Sequence, residues 1–171
     1  MKKKNTPPSG LRKIIFDTFQ FLITEFDYEL IEQTSEVMFY KLVFKNSTTG
    51  VVVMYESREQ YIDIDLYKLI DGQIVKNVTH ALISKEKIKG FRLDSIMKAR
   101  NIRKQILPIH KYGEDSEFHG DNGLSKWVAL FAENLRSYAA DILNGDFSSF
   151  EELDAQFREN YYKNWGTIGK G

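Results

Sequence analysis

Asp63 and Asp65 are the acids of this sequence best spaced to act together. They stand two positions apart in Tyr61-Ile62-Asp63-Ile64-Asp65-Leu66-Tyr67-Lys68-Leu69, where apolar and polar residues alternate strictly. Period-two alternation marks a strand with one buried face, which puts Ile62, Ile64 and Leu66 on one side and Tyr61, Asp63, Asp65 and Tyr67 on the other. Two carboxylates so placed lie roughly 7 Å apart. At that distance a pair can hold a divalent cation or divide acid and base roles, as a metal-dependent hydrolase or nuclease requires. A nuclease of that type also wants Glu-x-Lys on a neighbouring strand. The nearest approach is Glu56-Ser57-Arg58, whose cation is of the wrong type. The plainer reading of the same acids is a charged outer face that keeps a sheet from pairing with other chains.

The second cluster is His110, His119 and Asp121 with Glu114, Asp115 and Glu117, all in the loop 110–123. Imidazole and oxygen ligands suit a metal, yet nine residues separate the two histidines, which matches neither a helical nor a zinc-finger spacing. His80 stands alone. There is no cysteine, so thiolate nucleophiles, disulfides and cysteine-bound zinc are excluded together. No Gly-x-Ser-x-Gly elbow supports a serine nucleophile, and neither Gly-x-Gly-x-x-Gly nor a P-loop occurs to cradle phosphate. We therefore assign no catalytic residue, metal ligand or cofactor, and the reading leans away from an enzyme. Hydrolysis through Asp63 and Asp65, with His110 or His119, stays as the alternative.

Lys85, Lys87, Lys89, Arg92, Lys98, Arg100, Arg103 and Lys104 form a basic stretch that raises a second alternative, nucleic-acid binding by counterion release. No helix-turn-helix, RNA-recognition or zinc-finger signature accompanies it. Charge is blocked along the chain: +5 over residues 1–13, −6 over 14–70, +7 over 71–112 and −6 over 113–171, with 24 basic and 24 acidic residues in all. The basic stretch is accordingly expected to be a solvated face or the intramolecular partner of the acidic segments.

The elements that must position these residues follow from periodicity. Leu11, Ile14, Ile15, Thr18, Phe19, Leu22 and Ile23 recur at helical spacing, with Ser9 as N-cap, and predict a helix over 10–25. Segments 36–45, 51–56 and 61–69 read as strands joined by the short turns 46–50 and 57–60. Asp71-Gly72 then signals a further hairpin, with a fourth strand about 73–79. Connections that short force an antiparallel meander. Three helices follow. The first covers 93–106 and ends before Pro108. The second is a long helix from Leu124 to Leu143 that Gly145 terminates, and the third opens on a Ser148–Glu151 capping box. The expected architecture is α+β: an N-terminal helix, a three- to four-stranded antiparallel meander, and three C-terminal helices packed on the sheet. The domain spans 10–165, between a flexible basic leader, 1–9, and a flexible tail, 166–171. The leader starts like a secretion signal, but Asp17 and Gln20 break the apolar stretch that should follow, and no membrane-length apolar run occurs. A cytoplasmic protein without a membrane partner is expected.

One strand pattern carries information about partners. Strand 36–45 has Met38, Tyr40, Leu42 and Phe44 on one face and Val37, Phe39 and Val43 on the other. A sheet apolar on both sides must be covered twice, by its own helices or by another chain. The Tyr61, Asp63, Asp65 and Tyr67 stripe joins tyrosines, good contact residues, to negative charge, a composition that suits a basic protein partner.

Two stretches, Tyr55 to Leu69 and Tyr138 to Leu153 (Tyr-Ala-Ala-Asp-Ile-Leu-Asn-Gly-Asp-Phe-Ser-Ser-Phe-Glu-Glu-Leu), together resemble small uncharacterised bacterial proteins, some of which look like immunity proteins of polymorphic toxin systems. The likeness runs from about residue 10 to 160 and is sharp in those two stretches. It implies a non-catalytic interaction protein that binds and neutralises a toxin, and it brings no catalytic residues with it. The expected partner-binding residues are Tyr61, Asp63, Asp65 and Tyr67.

Overall fold

The computed structural model describes residues 10–111, 118 and 120–165. The helical period at the start of the chain gives two short helices, α1 (Leu11–Phe19) and α2 (Phe21–Phe26), which break at Gln20 instead of running through. Leu11, Ile15 and Phe19 form the buried stripe of α1. The expected N-cap, Ser9, lies outside the described residues. Asp27 takes a left-handed conformation after α2, and the Tyr28 amide reaches back to the Leu22 carbonyl. That closure turns the chain into the sheet.

The sheet has five strands in the order β1-β2-β3-β4-β5, every neighbouring pair antiparallel. They are β1 (Glu29–Ser35), β2 (Phe39–Lys45), β3 (Thr49–Glu56), β4 (Tyr61–Lys68) and β5 (Gly90–Arg92). The meander and the three strands expected at its centre are present, with two edge strands added. β1 is polar and bulged between Leu30 and Glu32, so it carries little of the apolar alternation that announces a strand. The hairpin turn at Asp71-Gly72 forms, with positive φ at both residues and an Ile70–Gln73 bridge. The fourth strand expected after it does not form. Pairing stops at that single bridge because Ile74 leaves the ladder to pack on Val43, Val52 and Tyr67. The strand that pairs with β4 arrives later, as β5.

Helices follow as α3 (Val78–Ile83), α4 (Leu93–Ala99), α5 (Gly120–Tyr138), α6 (Ala140–Leu143) and α7 (Phe150–Trp165). α4 is half the length that its apolar spacing predicts. Asn101 adopts a positive φ, and the Ile102 amide bonds the Met97 carbonyl, a closure that ends the helix well before Pro108. The expected long helix divides at Ala139 into α5 and α6. Gly145 terminates α6 as its sequence position suggests, with φ of 84° and the following amide, Asp146, bonded to the Asp141 carbonyl. At the start of α7 Ser148 gives its amide to Asp146, and Ser149, not Ser148, precedes the first helical residue.

The main core cluster lies on one face of the sheet, and a smaller one, Val43, Val52 and Tyr67 with Ile74, on the other. Tyr40, Leu42, Phe44, Val51, Val53, Tyr55, Ile62, Ile64 and Leu66 point into the main cluster, opposite Leu124, Trp127, Val128, Phe131 and Leu135 of α5 and the buried stripe of α1. Trp127 stands edge-on to Tyr55 and Phe131 and donates its indole N–H to the Leu107 carbonyl at 3.0 Å.

The β2–β3 turn clamps the end of α6. Tyr28, just before β1, donates its Oη to the Leu143 carbonyl at 3.0 Å, and Thr49 Oγ1 donates at 3.1 Å to that of Ile142, which also accepts the Gly145 amide. Arg100 fastens the other side of α6 through a bidentate pair with Asp141 at 2.6 and 3.0 Å. Burial acts against charge on Asp141, yet Arg100 and the Ile142 amide outweigh it and hold that carboxyl below its ordinary range.

Two buried tyrosines thus differ in one respect. Tyr28 is hydrogen-bonded, while Tyr55, 1% exposed, has a hydroxyl without a partner among the described residues and a pKa pushed up to about 12 by burial. An unbonded buried hydroxyl costs about 1–3 kcal/mol. Tyr28→Phe is expected to destabilise the fold by about 1–2 kcal/mol, whereas Tyr55→Phe leaves stability unchanged or raises it. Urea unfolding of both variants against the parent checks the contrast; equal losses would show that Tyr55 has found a partner in solution.

Candidate functional site

Helices reach the second face of the sheet at the Tyr61 corner of β4, where Phe131 of α5 and Asp94 of α4 meet it. What lies on the rest of it is the segment after β4, whose Ile74 packs on Val43, Val52 and Tyr67 at one end. Pairing register places the remaining outward side chains in rows across β2, β3 and β4. One row is Phe39, Glu56 and Tyr61, the next Lys41, Met54 and Asp63, and the third Val43, Val52 and Asp65, with Arg92 of β5 beyond it. The turn joining β1 to β2 projects Val37 and Met38 at the Phe39 end, 79% and 53% exposed. An apolar group with charged neighbours therefore occupies the uncovered half of the face.

All four residues expected to bind a partner lie on this strand face, but they are not equally presented. Tyr67 is 7% exposed and lies flat over Gly90. A Cβ on Gly90 would come within 2.1 Å of the Tyr67 ring, so the ring and a residue larger than glycine cannot share that place. Tyr61 is half-buried: its ring stands edge-on to Phe131 with centroids 5.3 Å apart, and its hydroxyl donates to Asp94 at 3.3 Å. Burial raises the pKa of both phenols, Asp94 adding to the effect at Tyr61 and Asp65 at Tyr67. Asp63 and Asp65 are partly exposed, as Tyr61 is; Tyr67 is the one of the four that is buried. Sequence alternation identified the face; it could not show that the rings of both tyrosines are used in packing, Tyr61 on Phe131 and Tyr67 over Gly90.

Arg92 organises the acids. Its guanidinium forms an ion pair with Asp63 and approaches Asp94 at 3.7 Å, and it stands directly across the ladder from Asp65. Asp65 also accepts from Tyr67 Oη at 3.4 Å. Burial raises the pKa of both acids, with Arg92 opposing it at each and the neighbouring carboxylates reinforcing it at Asp63. The residues facing the pair across β3 are Met54 and Val52, which offer no third oxygen. Among the described residues no three His, Asp or Glu side chains come together to hold a metal. Arg92 faces both acids, and the positive charge of Lys76 also acts on Asp65. The Glu56 carboxylate is engaged elsewhere, accepting the Arg58 and Glu59 amides at 2.9 and 2.7 Å and so fixing the β3–β4 turn.

The histidine-rich loop falls largely outside the described residues, including Glu114, Asp115, Glu117 and His119. His110 is exposed on a single helical turn, Ile109–Lys111. The basic stretch 85–104 is divided by the fold. Arg92 and Arg100 turn to acids already named, Lys87 lies 3.9 Å from Glu151, and Lys104 sits over the Tyr138 ring. Three of its cations thus pair with acids of other segments.

The arrangement defines an α+β domain with a one-sided helical layer and a mixed apolar and charged sheet face. Comparison with family models, with curated proteins and with solved structures finds no match to this chain.

The raised carboxyl pKa values have a testable consequence. A carboxyl whose pKa is higher folded than unfolded weakens the fold wherever it is ionised in both states. That penalty is full above the folded pKa, fades as pH falls through it, and is gone below the unfolded pKa near 3.9. Asp65→Asn keeps an acceptor for Tyr67 and removes the charge. Its urea midpoint is expected to exceed the parent's at pH 7 and to converge with it toward pH 3. A constant or inverted difference would mean that Arg92 more than offsets burial.

Proposed function

We propose that this chain is a non-catalytic protein-interaction module whose contact surface is the second face of its sheet, beyond the corner where Tyr61 meets α4 and α5. The observation that carries the reading is the group Val37, Met38, Phe39 and Met54, left without a helical cover and bordered by Lys41, Glu56, Asp63 and Asp65. An apolar centre with a charged margin is the composition of protein interfaces, where the centre supplies affinity and the margin excludes wrong partners. The internal ion pair of Asp63 with Arg92 also weighs against a hydrolytic pair, since a guanidinium already satisfies the acid. Pairing of the basic stretch with acidic helices weighs in the same way against a continuous nucleic-acid footprint. No helix among the described residues is long and apolar enough to cross a membrane.

The finer reading is a cytoplasmic bacterial immunity protein, with a toxin as partner. It rests on the resemblance carried by residues 55–69 and 138–153. On this reading the module neutralises the toxin by occupying it, and needs no residue that makes or breaks bonds.

The test is co-expression with a toxin encoded beside this chain's gene, where sequencing of the locus finds one. The parent chain is expected to restore growth and to co-purify with the toxin. Phe39→Glu with Met54→Glu is expected to weaken that complex by about a hundredfold, since truncated contact anchors cost several kcal/mol. Circular dichroism confirms that the double variant is folded. Undiminished binding by the folded variant would place the contact on another surface.

A further inference from the structure

A groove of about 380 Å³ runs between α4 and α7, on the opposite side of β5 from the acids of the sheet face. Its floor is apolar: Phe91 and Phe157 meet edge to face with centroids 6.4 Å apart, beside Leu153 and Ala99. Its walls are polar: Ser95 and Lys98 from α4 oppose Gln156, Asn160 and Asn164, which follow one another at four-residue spacing along one side of α7. The volume lies in the range of small-ligand sites, roughly 300–1,000 Å³, and an apolar floor with a few convergent polar groups is their usual construction.

The polar groups are unspent. Gln156 bonds Glu152 on its own helix, while Ser95, Lys98, Asn160 and Asn164 make no hydrogen bond or ion pair among the described residues. Lys98 is the informative one. Asp94 precedes it by four residues on α4, the favourable order for a helical ion pair. Asp94 is instead turned away, toward Tyr61 Oη at 3.3 Å and Arg92 at 3.7 Å. Lys98 thus lines the groove without an ion-pair partner among the described residues, next to carboxamides that both donate and accept.

The geometry points to a binding site for a small monocarboxylate with a flat apolar body. The body lies on Phe91 and Phe157, the carboxylate meets Lys98 and Ser95, and the Asn160 and Asn164 amides bond whatever polar substituent the ligand carries. A charged acceptor facing an ammonium makes the stronger, charge-assisted bond, which a neutral ligand of the same shape cannot make. The site is independent of the sheet face proposed above, and neither reading depends on the other.

Hydrocinnamate is a suitable probe, with phenylpropanol as its neutral counterpart of like shape. Titration of the full chain, followed by amide shifts in nuclear magnetic resonance spectra, is expected to move Phe91, Lys98, Phe157 and Asn160 saturably. Phenylpropanol is expected to bind about tenfold more weakly, and Lys98→Met to weaken hydrocinnamate by about the same factor. Phe39→Glu with Met54→Glu is expected to leave the titration unchanged. Absence of saturable shifts at the groove overturns the site. Equal binding of acid and alcohol, or indifference to Lys98→Met, overturns the carboxylate.

Discussion

The helical layer of this protein lies on one face of a sheet that has apolar residues on both. Connections within β1 to β4 are too short to carry a helix, so helical mass enters from the two ends of the chain: α1 and α2 before the sheet, and α3 to α7 after β4. The face it settles on is the one where Leu42, Phe44, Val51, Val53, Ile62, Ile64 and Leu66 present an unbroken apolar surface. Burial of aliphatic and aromatic area drives that choice, at about 25 cal/mol for each Å² removed from water. The opposite face alternates charge with apolar side chains and competes poorly. Its covering is reduced to a loop, fastened by Ile74 at one end, and to the corner where Tyr61 meets α4 and α5. Everything proposed about partners follows from the half that this loop leaves open.

Blocks of opposite charge along the chain have a structural role that net neutrality conceals. Asp154, almost wholly buried, accepts the Ile88 amide at 3.1 Å and pairs with Arg158, whose guanidinium in turn takes the Ala81 carbonyl at 2.7 Å. Arg100 does the same for α6 through Asp141, Tyr138 and Ser149. In each case an arginine fork satisfies backbone carbonyls together with a carboxylate, which a lysine could not do with one point charge. The Asp154–Arg158 pair lies within α7, whereas Arg100 with Asp141 and Lys87 with Glu151 join the basic segment to the acidic helices. Lys98 is left out of that pairing because Arg92 and Tyr61 draw its natural partner toward the sheet.

What the sequence made legible was set by how local each signal is. Gly145 and the Asp71-Gly72 turn depend only on backbone conformation, and both stand where their residue types place them. The alternation of 61–69 likewise assigns Ile62, Ile64 and Leu66 to the buried face. β1 and β5 were illegible because an edge strand needs only a partner's free carbonyls and amides, not a pattern of its own. The stop at Asn101 was equally hidden: a polar residue taking φ of 57° has no signature that distinguishes it from an ordinary helical asparagine. At the candidate face, the residues were found and their roles were not. Whether Tyr61 and Tyr67 meet solvent depends on Phe131, Asp94 and Gly90, distant in sequence and silent in the strand's own pattern.

The acids of β4 bear on function through their energetics. In its cross-strand row Asp65 stands between Val52 and Arg92, next to a buried tyrosine and a loop that shields the other end of the face. A β-branched residue there would pack against its neighbours and lose nothing to desolvation. A carboxylate loses hydration, and its raised pKa records that Arg92 and Tyr67 return less than water gave. Asp63 is in the same position, with a side chain still 29% exposed. Two adjacent acids held at a net electrostatic disadvantage are poor devices for stability. They leave the folded face with negative potential that a basic partner would find only partly neutralised, and a partner cation approaching them would relieve the same strain that folding imposed. The direction of that coupling is fixed: binding of a positive group lowers both carboxyl pKa values, and protonation of either acid weakens the binding.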